Sequence, residues 1–198
     1  MTEFPPLPGR PEPDNRETFR QCLAHLLRLL GPDADPAGHQ RTEIRKALAR
    51  RQPLPEEFFV PLIEAAVHDP DPSFNRQFVE PALRAFGRRR VQSALLDRLR
   101  TGTNPERAGV ARAWYWTGLP KAAQDRAPDV VAAWNEAALR EFVGNDDLDV
   151  RRCLIPGLWL YAPAHSPELR PLVDRAVAIA RAHPDDYIRH RVDHQVHG

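Results

Sequence analysis

Residues 144–151 read Gly-Asn-Asp-Asp-Leu-Asp-Val-Arg. The second aspartate of this stretch stands three residues before Val150, and an arginine follows the valine directly. The same order recurs after Asp185 and, more loosely, after Asp71, where Asn75 separates the hydrophobic residue from the arginine. An aspartate in this position is suited to cap a helix that begins with the next residues. The stretch therefore indicates a tight turn between two helices, repeated along the chain.

The spacing of these turns supports a repeat. Asp71, Asp147 and Asp185 lie 76 and 38 residues apart, so that one interval is twice the other. A period of this length is typical of repeated helix pairs. Because a single pair cannot bury its apolar side, such pairs stack on one another and are stable only together.

Apolar residues follow a helical period through most of the chain. Phe19, Cys22, Leu23, Leu26 and Leu30 form one stripe of a 3.6-residue helix, and no long segment alternates at period two. The sequence therefore predicts an all-α protein. The expected helices cover residues 16–30, 38–51, 55–68, 74–86, 89–99, 105–117, 129–143, 148–161, 167–182 and 187–196.

Composition indicates the extent of the folded domain and the cellular compartment in which we expect it. Residues 1–13 hold five of the 21 prolines and predict a disordered Pro-rich arm, and residues 14–198 predict a single helical repeat domain. The start of the chain lacks the basic and apolar parts of a secretory signal, and no apolar run approaches a membrane span. We therefore expect a cytoplasmic protein with no membrane contact. Cys22 and Cys153 lie in apolar helical patterns and are expected to be reduced, structural thiols.

The helix, the turn with aspartate, and the hydrophobic residue and arginine that open the next helix resemble the HEAT-repeat pattern over about residues 55–198. Pro61 stands where the first helix of a HEAT repeat often carries a bending proline. The resemblance implies a right-handed α-solenoid of stacked antiparallel helix pairs, with about nine to ten helices. The alternative is another orthogonal helix bundle. The middle repeat departs from the period, because Gly109 stands where an aspartate is expected and the turn at 103–107 comes early.

The aspartates and arginines of the turns are expected to be structural. Asp71, Asp147 and Asp185 cap the second helix of each pair, and Arg151 and Arg189 reach the aspartate of an adjacent repeat.

A candidate binding site lies between the turns, where charge and aromatic residues collect. Residues 84–112 carry eight arginines against two acids, and residues 113–150 are net acidic. Trp114, Tyr115 and Trp116 are consecutive, so at least one of them must point away from the core. Exposed aromatic residues beside arginines are typical of binding hot spots. The predicted partner-binding residues are Arg76, Arg84, Arg107, Arg112, Tyr115, Trp116 and Arg151.

The function predicted from these residues is that of a non-catalytic protein-protein interaction module, or adaptor, which binds an acidic partner surface through its concave face. One alternative is a nucleic-acid-binding enzyme resembling the HEAT-like alkylpurine DNA glycosylases. Another is an immunity or regulatory subunit that inhibits a partner enzyme. The oligomeric state stays open. The nearly exclusive use of arginine as the basic residue is typical of a GC-rich bacterial genome.

Neither a catalytic motif nor a cofactor motif is present in the sequence. It lacks a glycine-rich phosphate loop, a His-Glu-x-x-His helix and a nucleophile elbow. His190 and His194 share one helical face, but a second, distant group of ligands is missing, so no metal site and no cofactor are predicted.

Overall fold

A computed structural model describes residues 13–34, 39–51, 53–71, 73–118 and 126–196. These residues form ten α-helices and no strand, so the predicted all-α class is confirmed. The predicted arm at 1–13 lies outside the described residues, apart from Pro13, at which the first helix begins. The helices are α1 (Pro13–Leu30), α2 (Gln40–Arg50), α3 (Phe59–His68), α4 (Arg76–Phe86), α5 (Arg88–Thr101), α6 (Asn104–Thr117), α7 (Pro128–Gly144), α8 (Leu148–Leu154), α9 (Arg170–Ala182) and α10 (Asp186–Gln195).

The helices contact one another in a regular order. Successive helices form five pairs, from α1 with α2 to α9 with α10. Each odd-numbered helix also contacts the next odd-numbered helix, and each even-numbered helix contacts the next even-numbered one. The described helices therefore lie in two rows, with one apolar core between them. Phe58, Phe78 and Phe142 are fully buried in that core.

The apolar stripe of α1 packs as its spacing predicts. Phe19, Leu23, Leu26 and Leu30 are buried, and Cys22 is half-buried against the same core. Both cysteines are free thiols.

Proline sets two helix bounds that differ from the predictions. The expected helix at 148–161 is wrong in its second half: α8 ends at Leu154, and a 3-10 turn at Ile155–Gly157 follows, because Pro156 has no amide for an α-helical hydrogen bond. Residues 158–161 are then not helical, and the backbone is extended at Leu158 and Tyr161. Helix α9 begins at Arg170 instead of residue 167, which puts Pro171 in its first turn, where proline is tolerated.

Three junctions between paired helices share one hydrogen-bond pattern. The side chains of Asp69, Asn145 and His183 each accept a hydrogen bond from the backbone N–H two residues later, at 2.9, 2.9 and 3.1 Å. Those N–H groups belong to the three repeated aspartates. Asp147 and Asp185 in turn cap α8 and α10. Their carboxylates accept hydrogen bonds from the backbone N–H groups of Val150 and Ile188, three residues later. The predicted caps of α8 and α10 are confirmed.

The junction at Asp71 is built differently. Its carboxylate accepts from the N–H of Ser73 at 2.9 Å, and α4 begins only at Arg76, without a side-chain cap. The looser sequence order at this turn therefore corresponds to a longer turn.

The arginine that links neighbouring pairs is one residue away from the predicted one. Arg151 donates to the carbonyl of Phe142 and to Asp146, both beside its own junction. Arg152 instead reaches Asp185, with Nη2 at 2.5 Å and Nε at 3.1 Å from Oδ2. Arg189 likewise pairs within its own junction, with Asp186. The expectation that Arg151 and Arg189 link adjacent repeats is wrong, because Arg152 makes that link from the next position on α8.

The middle junction has the early turn that the sequence predicts. Gly102 and Thr103 join α5 to α6, and Thr103 forms a reciprocal capping box with Glu106. Gly109 then lies within α6, against α3. A Cβ atom at this position would stand 1.9 Å from the carbonyl oxygen of Val67. Glycine here allows α6 to approach the backbone of α3 directly.

No helix of the described segments is long and apolar enough to cross a membrane.

Candidate docking face on the even-numbered helices

A cavity of about 370 Å³ opens between α6, α7, α8 and α10. Most of its surface is apolar, and its described lining contains three arginines and no carboxylate. The lining residues are Ser73, Ala111, Arg112, Trp114, Tyr115, Trp116, Trp134, Ala138, Arg152, Cys153, Leu154, Pro156, Gly157, Tyr187 and Arg191.

Aromatic rings form one side of the cavity. Trp114 stacks on Trp134 of α7, with ring centroids 3.9 Å apart and planes 2° from parallel. Tyr115 meets Trp116 edge to face at 5.1 Å and is 60% exposed. The prediction that one of the three consecutive aromatic residues points out of the core is confirmed, because successive residues of a helix point about 100° apart.

Two guanidinium groups in the lining have no carboxylate partner among the described residues. Arg112 donates to Cys153 Sγ and to the carbonyl oxygen of Asp69, both at 3.5 Å, and its Nε is buried without a partner. Arg191 donates to the hydroxyl of Tyr187 at 3.3 Å. Arg152, by contrast, is paired with Asp185. The cavity thus combines an apolar wall with positive charge that no described carboxylate neutralises there.

Burial keeps the thiol of Cys153 neutral. Removal from water raises its pKa and outweighs the opposing effect of Arg112. The thiol therefore supplies no negative charge to offset the guanidinium of Arg112.

A groove between α2 and α4 adjoins the cavity, with Ser73 common to both. Arg41 pairs with Asp69 and Arg76 with Glu80. Arg45 and Arg84 are exposed and have no ion-pair partner in the described part of the chain. The groove is lined by Arg41, Thr42, Arg45, Ala49, Ser73, Phe74, Arg76, Gln77, Glu80, Pro81 and Arg84. We refer to the cavity and the groove together as the docking face.

Five of the seven predicted binding residues lie on the docking face. Arg84 and Arg76 line the groove, and Arg112, Tyr115 and Trp116 line the cavity. The Arg76 guanidinium carbon is 5.3 Å from the ring centroid of Trp116, which joins the two parts by a cation–π contact.

The remaining two predicted residues lie elsewhere and support the fold. Arg107 pairs with Glu141 at 3.1 Å and donates to the carbonyl of Leu99. Arg151 has a side chain only 9% exposed and is held by Asp146 and Phe142. Neither guanidinium is presented on the docking face.

Folding neutralises much of the basic run at 84–112. Acids from distant segments pair with four of its eight arginines. The pairs are Arg89 with Asp129, Arg90 with Glu56, Arg98 with Glu64 and Arg107 with Glu141. The local charge excess in the sequence therefore does not correspond to an equally basic surface.

Other residues of the face lie outside the basic run. Arg45, Trp134, Tyr187 and Arg191 come from three different helices, and only the fold brings them to the face. In the sequence, these residues are marked only by their type, which is arginine or aromatic, and by their position within a predicted helix. Trp159 is 60% exposed but lies outside the cavity lining.

Asp69 lies beneath the face and is fully buried. Arg41 donates to its Oδ1 at 2.8 Å, and Oδ2 is buried without a described hydrogen-bond partner. Burial raises the pKa of this carboxyl to about 6, although the N–H of Asp71 and the charge of Arg41 act in the opposite direction.

Asp69 is therefore expected to make stability depend on pH. Its folded pKa lies above the ordinary value of 3.8, so its contribution is complete below that value and is lost as the pH rises through about 6. Relative to Asp69→Asn, the wild type should lose about 1.4 kcal/mol of unfolding free energy between pH 5 and pH 7. Urea unfolding of both proteins at the two pH values measures this. If the difference in unfolding free energy between the two proteins is the same at pH 5 and pH 7, the pKa of Asp69 is not raised.

The two histidines of α10 do not form a metal site with other described residues. Nε2 of His190 lies 3.3 Å from Nε2 of His194, but the described chain contains no group of three potential metal ligands.

The chain matches no protein-family model, no curated protein and no solved structure.

Proposed function

We propose that the chain is a HEAT-like, right-handed α-solenoid from the bacterial cytoplasm. The two rows of helices support this proposal, because each helix contacts its partner in the pair and its counterparts in the neighbouring pairs. The recurring junctions at Asp71, Asp147 and Asp185 support it as well.

On this fold, we propose a non-catalytic adaptor that binds an acidic partner surface through the concave face, which the even-numbered helices form. The observation that carries the proposal is the placement, in and beside an apolar cavity, of four arginines that pair with no carboxylate among the described residues: Arg45 and Arg84 in the groove, Arg112 and Arg191 in the cavity. Positive charge attracts and orients an acidic partner, and the burial of aromatic surface beside it holds the complex together.

The groove arginines provide the most direct test, because they are exposed and their replacement should leave the fold intact. Changing Arg45→Gln and Arg84→Gln together should weaken binding of a fluorescein-labelled oligoglutamate peptide about tenfold, as measured by anisotropy at low salt. The matched control is Arg175→Gln with Arg181→Gln. These arginines of α9 are also exposed and lack a described ion-pair partner. Equal affinities of the two double variants would contradict the proposed face.

A second probe separates this proposal from nucleic-acid binding. A labelled DNA duplex is titrated over a range of salt concentrations alongside the peptide. If the duplex binds more tightly than the peptide, and its affinity depends steeply on salt in a way that the groove variant reduces, the partner is a nucleic acid and the proposal of an acidic protein partner is rejected.

A further inference from the structure

We propose that the cavity between α6, α7, α8 and α10 receives an aromatic side chain of the partner, next to a carboxylate on the same segment. This inference rests on the proposed function and adds to it the group that enters the cavity, an aromatic side chain of the partner, which we call the anchor. The bound element would be a short acidic segment that carries one aromatic residue.

The size and walls of the cavity favour a single ring system. A volume of about 370 Å³ is at the small end of the range for ligand pockets, which is roughly 300–1,000 Å³. Tyr115, Trp116 and Tyr187 supply aromatic surface, and Trp114 stacked on Trp134 supplies a fixed flat wall. Aromatic groups pack on such walls by offset or edge-to-face contact.

The charges of the lining favour an anion beside the ring. Neither Arg112 nor Arg191 has a described carboxylate partner, and Nε of Arg112 is buried without a hydrogen-bond acceptor. A carboxylate of the ligand would give these guanidinium groups the counter-ion that no described residue supplies. An uncharged aromatic segment would leave both guanidinium groups without a counter-ion.

The anchor has a direct route to the adjoining groove. Ser73 borders both spaces, and Arg76 lies over Trp116 at the boundary. An extended acidic segment can therefore place its ring in the cavity while its remaining carboxylates meet Arg45 and Arg84. This arrangement accounts for an apolar cavity and a basic groove on the same face.

The experiment compares two acidic peptides, identical except that one has a central tryptophan and the other has alanine there. Isothermal titration of the wild-type protein should give about tenfold tighter binding of the tryptophan peptide. In the protein, Gly157→Trp blocks the cavity. Gly157 lines the cavity, and a Cβ atom there meets no atom within 4 Å, so the substitution adds volume without a backbone clash.

The control variant is Gly144→Trp, at the end of α7 and outside the cavity lining, where a Cβ atom also meets nothing within 4 Å. Gly157→Trp should abolish the advantage of the tryptophan peptide over the alanine peptide, whereas Gly144→Trp should preserve that advantage.

The outcomes test the proposed aromatic anchor separately from the proposed docking face. Equal binding of both peptides to the wild type, with normal sensitivity to the groove arginines, overturns the anchor and leaves the proposed function standing. Failure of both peptides to bind overturns the proposed function itself. N-acetyltryptophan provides the last arm: if it binds as tightly as the peptide and is excluded by Gly157→Trp, the cavity is a site for a free small molecule, and the peptide anchor is rejected.

Discussion

Gly109→Ala is expected to lower the free energy of unfolding by about 3 kcal/mol, which corresponds to about 6–12 °C in Tm for a domain of this size. A methyl group at this position would stand 1.9 Å from the carbonyl oxygen of Val67 and 2.9 Å from the carbonyl carbon. Both atoms belong to the backbone, so a change of rotamer cannot relieve the clash and α6 must move away from α3. Alanine's higher helix propensity, worth about 1 kcal/mol, is too small to compensate.

Gly144→Ala is the matched control for this substitution. Gly144 ends α7 and is exposed, and a methyl group there would meet no atom within 4 Å. Its replacement should change the unfolding free energy by less than about 1 kcal/mol. Urea denaturation of both variants checks the pair. If Gly109→Ala is as stable as the wild type, then α6 and α3 do not approach each other closely at this point.

Asp185→Ala is expected to cost about 3–5 kcal/mol at pH 7, because two roles of one carboxylate are lost together. Asp185 caps α10 through the N–H of Ile188 and pairs with Arg152, and the side chains of both partners in that pair are largely buried, at 11% and 13% exposed. Without the aspartate, the guanidinium of Arg152 stays in a poorly solvated position without its counter-ion.

The two roles of Asp185 can be separated. Asp185→Asn keeps an oxygen for the N–H of Ile188 but turns an amide N–H₂ group toward Arg152, so its cost reports the loss of the pair with Arg152 while the cap is retained. Asp97→Ala, at an exposed aspartate of α5 with no described side-chain partner, is the control and should be nearly neutral. Denaturant unfolding at constant pH gives all three values. A cost for Asp185→Ala no greater than that of an ordinary cap, about 1 kcal/mol, would show that Arg152 finds another partner.

The pKa of Asp185 fixes the pH for this measurement. Burial opposes ionisation, but the hydrogen bonds from Arg152 and from the Ile188 N–H outweigh it and lower the pKa below its ordinary value of 3.8. The contribution of Asp185 is therefore complete above that value and is lost as the pH falls through the lower, folded pKa. Measurements at pH 7 lie well within the range in which the ion pair is intact.

The helices themselves could be predicted from local signals. The stripe from Phe19 to Leu30, the caps at Asp147 and Asp185, and the early turn at Thr103 depend on residues within a few positions of each other. The helix expected at 148–161 was too long because Pro156 outweighs the apolar pattern around it. In this helix one local rule failed because another local rule competed with it.

The docking face was harder to predict because its charges depend on distant partners. Tyr115 and Trp116 stood out by their adjacency, which is a local property. Arg107 resembled Arg84 in sequence, yet Glu141 of α7 binds Arg107 and no described acid binds Arg84. Which arginine is left unpaired follows from contacts between helices, and one sequence does not contain a direct record of those contacts.

The close approach at Gly109 has a consequence for how the protein can change over generations. Helix α6 contacts α3, α4, α5 and α8, and its middle is restricted to glycine by the backbone of α3. Tyr115 in its last turn is exposed and carries no such restriction. A lineage that acquires a new partner can therefore vary this position while the middle of the helix stays the same.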